Sequence, residues 1–291
     1  MRIIAAAFLI AFLVPPIGYK AEVEAFRKQR EAEIGGETGW AALTGLHWLS
    51  KGDQTVGRAS SNAIVLTAPS APERIGTLTV GEHAVILHVA AGVGARVKGA
   101  PITQFQFKPN ASIDEGVAIG GMRMIVIERG SRLGLRVWDR ASPTRLAFKG
   151  LHWYAIDQKW RVEAKFMAHK PAPKARVLNI LGETVEMTNP GLAVFVVDGK
   201  RYELEALLEE DGADELFFMF HDATSAKTTY GAGRYLNTTL PKNGKVTLDF
   251  NRAMNPPCAF TRFATCPLPL PQNRLDLAVE AGELQYQEHG K

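Results

Sequence analysis

The chain has 291 residues, of which 46% are hydrophobic and 22% are charged. This composition is that of a globular protein with room for two ordinary domains, and it excludes a disordered or membrane-embedded chain. The formal net charge is only +4. The basic residues are scattered and form no block interleaved with aromatic residues, so we expect no nucleic-acid partner.

The chain begins with the pattern of a secretory signal. Arg2 precedes an apolar run from Ile3 to Val14, which is the layout of a signal peptide and is too short to span a bilayer. We therefore expect residues 1–20 to be a signal peptide, the protein to be exported to the periplasm or secreted, and no stable membrane span to remain after processing. The alternatives are an uncleaved N-terminal segment that tethers the protein and a buried N-terminal helix.

The next two units are a helix with its lead-in and a β unit. Residues 22–33 have the spacing of an amphipathic helix ended by Gly35 and Gly36, so residues 21–50 are predicted to be an N-terminal helix and lead-in. From Thr55 the hydrophobic period changes to two, which predicts a β domain over residues 51–148. Its predicted strands are Ile64–Leu66, Thr77–Val80, Ala84–Val89, Gly116–Ile119, Met122–Ile127 and Leu133–Trp138.

Two segments of this β unit, Val56–Leu66 and Gly94–Ile102, resemble a forkhead-associated domain. In such domains a Gly-Arg loop and a later Ser-x-x-His element hold phosphothreonine. Arg58 and Asn62 match the first element, whereas Ser70–Glu73 lacks the histidine of the second. The resemblance therefore implies a β-sandwich, and we do not expect a phosphopeptide partner.

A second β domain is predicted over residues 149–291. Asp198-Gly199 between two apolar runs is a strong signal for a two-residue hairpin, and Pro241–Gly244 is another turn. The predicted strands are Arg161–Met167, Ala175–Ile180, Glu183–Met187, Gly191–Val197, Lys200–Leu208, Glu215–Phe220 and Lys245–Phe250. The expected fold class is therefore mainly β, with two sandwich-like or barrel-like units preceded by a signal segment and a short amphipathic helix.

Polar residues follow the apolar run Leu216–Phe220 of the second unit. Asp222, Thr224 and Tyr230 come soon after this run, and Arg234 follows a glycine-rich turn. Hydrogen-bonding groups that leave a rigid strand are typical of binding sites, and the glycines would allow a ligand or backbone to approach closely. An Asx-type turn capped by Asp222 and Thr224 accounts for the same residues without a ligand.

Two motifs of this unit resemble the domain-of-unknown-function family DUF1684. The first, here the Asp222–Leu236 motif, comprises Asp222, Thr224, Thr229, Tyr230, Gly233, Arg234, Tyr235 and Leu236. The second, here the Asp249–Arg274 motif, comprises Asp249, Phe250, Asn251, Arg252, Asn255, Pro256, Pro257, Cys258, Cys266, Pro267, Asn273 and Arg274. The resemblance extends over nearly the whole chain after the signal segment, and it implies no catalytic residues.

The guanidinium and amide groups of these motifs predict a ligand site. Arg234 and Arg252, with neighbouring asparagines, suit a carboxylate, phosphate or sugar, and Tyr230 can donate a hydroxyl or stack on a ring. Buried ion pairs of the two arginines with Asp222 and Asp249 are the equally weighted alternative. The predicted ligand-binding residues are Asp222, Thr224, Thr229, Tyr230, Arg234, Asn251, Arg252 and Asn255.

The two cysteines, Cys258 and Cys266, are eight residues apart. In an oxidising compartment they are predicted to form a disulfide, whose short loop would contribute roughly 2–3 kcal/mol. A zinc site lacks further ligands at a typical spacing, so no metal is expected. A thiol nucleophile with His221 or His169 as its base, and a buried reduced pair of cysteines, are also compatible with this spacing.

Three functional hypotheses follow, and the sequence leaves open whether the protein is an enzyme. The first is an exported protein that binds a small anionic or glycan-like ligand, with no cofactor. The second is a cofactor-independent hydrolase or lyase with Asp222, Tyr230 and Cys258 as candidate catalytic residues. The third is a structural or protein-interaction module. The motifs of the commonest enzyme classes are absent from the sequence.

Overall fold

The computed structural model describes residues 18–82 and 84–286. Most of the predicted signal segment therefore lies outside the described residues. Within those two ranges no helix combines the length and apolarity needed to cross a bilayer.

The described chain is mainly β, as predicted. Its helices are α1 (Tyr19–Gly35) and α2 (Pro143–Ala147). The strands of the first half are β1 (Leu43–Trp48), β2 (Gly52–Gly57), β3 (Ile64–Val65), β4 (Gly76–Val80), β5 (Val85–Val89), β6 (Arg96–Val97), β7 (Ala100–Pro101), β8 (Gln104–Phe107), β9 (Val117–Ile119), β10 (Met122–Arg129) and β11 (Arg132–Asp139). Those of the second half are β12 (Arg161–Ala168), β13 (Lys174–Leu178), β14 (Thr184–Val197), β15 (Lys200–Leu208), β16 (Glu215–Phe220), β17 (Arg234–Thr239) and β18 (Lys245–Asp249).

Two sheets in the first half enclose one apolar core. Their strand orders are β1-β11-β10-β9-β6-β7 and β3-β2-β4-β5-β8. Alternate residues of the strands, among them Val56, Leu78 and Leu135, are fully buried between the sheets, as a period of two requires. β1, which comes from the predicted lead-in, pairs with β11. We call these two sheets the N-terminal β unit.

The second half forms one strongly curved sheet with the order β17-β16-β15-β14-β12-β18, and β13 forms a hairpin with the start of β14. Its two edge strands approach each other, since Thr238 Oγ1 donates to Thr247 O at 2.8 Å, and the sheet is nearly closed like a barrel. The predicted Asp198-Gly199 hairpin is confirmed: both residues have positive φ, 49° and 76°, which is the backbone of a type I′ turn.

Two details of this sheet differ from the prediction. β14 is one long strand, because a register shift between Thr188 and Gly191 absorbs Pro190, which has no N–H for the ladder. β17 was not predicted, because the polar residues at its start suggested a loop. Arg234 nevertheless pairs in register with Phe220 of β16.

Helix α1 packs against the second half of the chain through a buried ion pair. The side chain of Arg30 lies 3.2 Å from Glu283 and also donates to the Asn255 carbonyl at 2.9 Å. Glu283 is fully buried. Burial raises the pKa of Glu283, and the positive charge of Arg30 opposes that rise.

Replacement of Arg30 should therefore destabilise the fold in a pH-dependent way. Arg30→Ala leaves Glu283 buried without its cation, so the free energy of unfolding should fall by about 3–5 kcal/mol at pH 7. The variant raises the folded-state pKa of Glu283 further. The loss should therefore shrink as the pH falls toward about 4, because the carboxyl of the unfolded chain, with a pKa of about 4.3, then also begins to bind its proton.

Urea unfolding at pH 7 and pH 4 measures this difference. Lys20→Ala is the control, because it removes an exposed pair with Glu24 on the same helix and should change stability by less than about 1 kcal/mol. An Arg30→Ala loss that is small, or equal at both pH values, would contradict the buried pair.

Candidate functional site

Strands β16 and β17 bring together Asp222 and Arg234, two of the predicted ligand-binding residues. Both side chains are buried, and Arg234 Nη2 lies 3.3 Å from Asp222 Oδ2. Arg234 also donates to the carbonyls of Val279, at 2.9 Å, and Ala281. Burial lowers the pKa of Arg234, and the Asp222 charge opposes this effect. The buried ion pair that we considered as the alternative is therefore present.

The other oxygen contacts of Asp222 organise the turn after β16. Its Oδ2 accepts from Thr224 Oγ1 at 2.7 Å and from the Val279 amide at 2.8 Å. Thr224 and Thr229 then share a hydrogen bond between their hydroxyls at 2.9 Å, and both are buried. These are the contacts of a capped turn that also holds residues 275–284, which we call the C-terminal segment.

The close approach predicted at the glycines involves the protein's own chain. Gly233 has φ 93°, and a Cβ there would lie 2.7 Å from Phe220 O and from Pro269 Cγ. Glycine is therefore required at this position to let β17 start directly beside the end of β16.

Asn251 and Asn255 hold other parts of the chain. Asn251 Nδ2 donates to Asp157 O at 2.9 Å and to the Tyr19 hydroxyl at 2.8 Å. The backbone N–H of Asn255 donates to Glu283 Oε2 at 2.8 Å, and its side-chain Nδ2 donates to Leu284 O at 2.8 Å. Both asparagines are fully buried. They join helix α1 and the C-terminal segment to the second half of the chain.

Arg252 is only partly buried. Its Nε lies 3.5 Å from Asp249 Oδ2, its Nη2 lies 3.8 Å from Glu22 Oε2, and its guanidinium covers the Phe26 ring. The structure therefore places Arg252 at helix α1, while Arg234 contacts the C-terminal segment. Most of the buried donors of this residue set are already bonded within the protein. Ligand binding by the set therefore stays a prediction.

The two cysteines lie together and are free thiols, so the predicted disulfide is not formed in this structure. The amide of Cys258 donates to Cys266 Sγ at 3.1 Å. The two cysteines begin and end a loop. Cys258 follows Pro257, and the backbone of Cys266 is held at the end of the β13 hairpin, because the Ile180 N–H donates to Cys266 O at 2.9 Å. Cys258 is partly exposed and Cys266 is buried. We call residues 258–266 the thiol loop.

Two tyrosines flank the thiols. The hydroxyl of Tyr230 donates to Cys258 O at 3.2 Å, and that of Tyr235 donates to Pro267 O at 2.6 Å. Hydrogen bonds from the Cys266 thiol and then from the Tyr230 hydroxyl lower the pKa of Cys258 to about 7, against the opposing effect of burial. The hydrogen bond to Cys258 and burial raise the pKa of Cys266. Cys258 is therefore the thiol that ionises first.

Neither of the predicted histidine bases is among the groups that lower the pKa of Cys258. His169 lies 3.0 Å from Glu205, and the backbone of His221 bonds to Asn273 and Leu275. Burial, followed by the charge of Arg274, lowers the pKa of His221. The hydrogen bonds that lower the Cys258 pKa come instead from Cys266, Tyr230 and the cysteine's own backbone.

The thiol loop also forms one wall of a cavity of about 450 Å³. The opposite wall belongs to the N-terminal β unit and the start of α2. The lining residues are Leu43, Thr44, Thr67, Ser142, Pro143, Thr144, Phe260, Thr261, Arg262 and Phe263. In the part of the chain that the structure describes, no group of three or more His, Cys, Asp or Glu side chains is placed to hold a metal ion.

Comparison with known proteins matches the second half of the chain, where both predicted motifs lie. Residues 146–284 match DUF1684, a family described as a protein of unknown function. No curated protein matches the chain. The solution NMR structure of an uncharacterised protein of Haloarcula marismortui is 33% identical, covers 50% of this chain and 82% of its own, and superposes with a TM-score of 0.43.

The match confirms the predicted family for residues 146–284, here called the DUF1684 region. The prediction that the resemblance extends over nearly the whole chain is not confirmed, because the N-terminal β unit lies outside the matched residues. The resemblance of that unit to forkhead-associated domains stays a prediction. In the structure Arg58 pairs with the Glu73 side chain, and Asn62 Nδ2 donates to the carbonyls of Ala59 and Glu73 at 2.8 Å.

Substitution of Gly233 should separate a packing role from simple backbone strain. Gly233→Ala should lower the free energy of unfolding by about 2 kcal/mol or more, because a strained φ is combined with a steric clash. Gly212→Ala is a matched control: its φ is 87°, but nothing lies within 4 Å of the added Cβ. Equal losses for both variants in urea unfolding would show that the close approach does not matter.

Proposed function

We propose that the DUF1684 region is a thiol–disulfide centre in which Cys258 attacks and Cys266 resolves. The observation that carries this proposal is the pairing of one partly exposed and one buried thiol, in contact through the Cys258 amide at 3.1 Å. The low pKa of Cys258, about 7, gives a substantial thiolate fraction at neutral pH, and the thiolate is the reactive form.

The proposed reaction is exchange with a disulfide of a partner polypeptide or small molecule. The Cys258 thiolate attacks one sulfur of that disulfide, forms a mixed disulfide and releases the first partner thiolate. Cys266 then loses its proton and attacks Cys258 Sγ, which forms the Cys258–Cys266 disulfide and releases the second partner thiolate. The two electrons gained by the partner disulfide come from the two cysteine thiols.

This proposal keeps two of the three predicted catalytic candidates. Cys258 is the nucleophile and Tyr230 stabilises its thiolate, whereas Asp222 is engaged by Arg234 and the turn. An anionic or glycan-like ligand at Arg234 has less support, because binding it would separate a buried ion pair at a cost of several kcal/mol. Export, expected from residues 1–20, belongs to the same proposal, since partner disulfides persist mainly in oxidising compartments.

The pH dependence of Cys258 alkylation tests the first step. Iodoacetamide should modify Cys258 with a midpoint near pH 7, located by peptide mass spectrometry. Tyr230→Phe removes the hydroxyl that helps to lower the pKa of Cys258, so that pKa should rise by roughly one unit and the rate at pH 7 should fall about fivefold. Tyr202→Phe, which removes a hydroxyl bonded to Asp276 O, should leave the rate unchanged.

The exchange itself is tested with oxidised glutathione. The wild-type protein should end with an internal Cys258–Cys266 disulfide, whereas Cys266→Ser should accumulate a glutathione mixed disulfide on Cys258. An alkylation midpoint near that of an ordinary thiol, or stable glutathionylation of the wild-type protein, would overturn the proposal.

A further inference from the structure

A buried arginine of the N-terminal β unit reaches the thiol loop. Arg136 on β11 is 6% exposed, and its Nη2 donates to Thr265 Oγ1 at 3.0 Å. Among residues 18–82 and 84–286 no carboxylate is paired with its guanidinium, and its Nε has no hydrogen-bond partner. The guanidinium also faces the Trp40 ring at 5.6 Å. A buried cation of this kind is costly unless a negative charge accompanies it.

A second arginine makes the imbalance larger. Arg129 Nε donates to the same Thr265 hydroxyl at 3.2 Å, so two guanidinium groups converge on one neutral oxygen. Burial and then the charge of Arg129 lower the pKa of Arg136 to about 10. Arg129 is better compensated, because it also bonds to Asn110 Oδ1 and feels the charge of Glu183.

The ionisable group next in the chain to the Arg136–Thr265 contact is the thiol of Cys266. It follows Thr265 directly in the thiol loop, and its thiolate would act on Arg136 with the attraction that a carboxylate partner normally supplies. The thiol is buried, so little solvent screens that attraction.

We propose that Arg136 is a positioning residue for the thiol centre: it holds Thr265 and supplies the positive charge that stabilises Cys266 as a thiolate in the resolving step. The inference rests on the proposed function and adds to it that the N-terminal β unit controls the second of the two exchange steps. Attack on the partner disulfide by Cys258 needs no help from Arg136.

A two-phase reaction with dithionitrobenzoate tests this division of labour. The first equivalent of thionitrobenzoate, measured by its absorbance, reports attack by Cys258. The second reports attack by Cys266 on the mixed disulfide, which is intramolecular and does not require reagent to enter the core. Arg136→Gln should slow the second phase about tenfold, which corresponds to one unit of thiol pKa, and leave the first phase within about twofold.

The controls separate charge from packing. Arg136→Lys should recover much of the second-phase rate, because it keeps a cation, and Arg129→Gln should slow that phase less than about threefold. An unchanged first phase and an unchanged melting temperature show that Arg136→Gln is folded. If Arg136→Gln melts at a lower temperature than the wild-type protein, the second-phase rates of the wild-type protein and Arg136→Lys are compared as the pH rises. Both rates should then increase with pH, because ionisation of Cys266 limits the second phase.

Two negative results have different meanings. If the wild-type protein releases only one equivalent, Cys266 does not resolve and the proposed function fails. If the wild-type protein releases two equivalents and Arg136→Gln does so at the same rates, the thiol centre stands and the role of Arg136 is overturned.

Discussion

The buried pair of Arg234 and Asp222 fixes the arrangement of the second half of the chain. Arg234 begins β17 and Asp222 follows the end of β16, so the two charges lie side by side. Arg234 also donates to the carbonyls of Val279 and Ala281, and Asp222 accepts from the Val279 amide. These contacts seat the C-terminal segment, which carries Glu283 into the interior, where Glu283 meets Arg30 of helix α1. Loss of either charge would leave its partner in a low-dielectric environment, so this arrangement has few alternatives.

One consequence is that the polar residues of the two family motifs serve mainly to assemble the fold. Asn251 and Asn255 satisfy backbone groups of other segments, as Arg234 does. The reactive groups are the ones that this framework leaves in the thiol loop. The loop is attached to the β13 hairpin on one side and to the N-terminal β unit on the other, so its two sulfur atoms are held in a defined geometry.

The sequence predicted much of the fold because hydrophobic alternation and turn residues act locally. The hairpin at Asp198-Gly199 and helix α1 are examples. Strand β17 and the structural role of Arg234 could not be predicted, because the local sequence around a buried arginine does not differ from that around a ligand-binding arginine. Arg136 gave no signal either, because its partner Thr265 is 129 residues away in the chain and belongs to the other half of the protein.

The Arg234–Asp222 pair holds the C-terminal segment as part of the folded core. Hydrogen exchange of the Val279 amide, which donates to Asp222 Oδ2, tests it most directly. We expect this amide to exchange only through global unfolding, at the same free energy as the amide of Leu236 in β17. Exchange of Val279 several kcal/mol below that level would contradict the claim, because it would mean that the segment opens while the sheet stays folded.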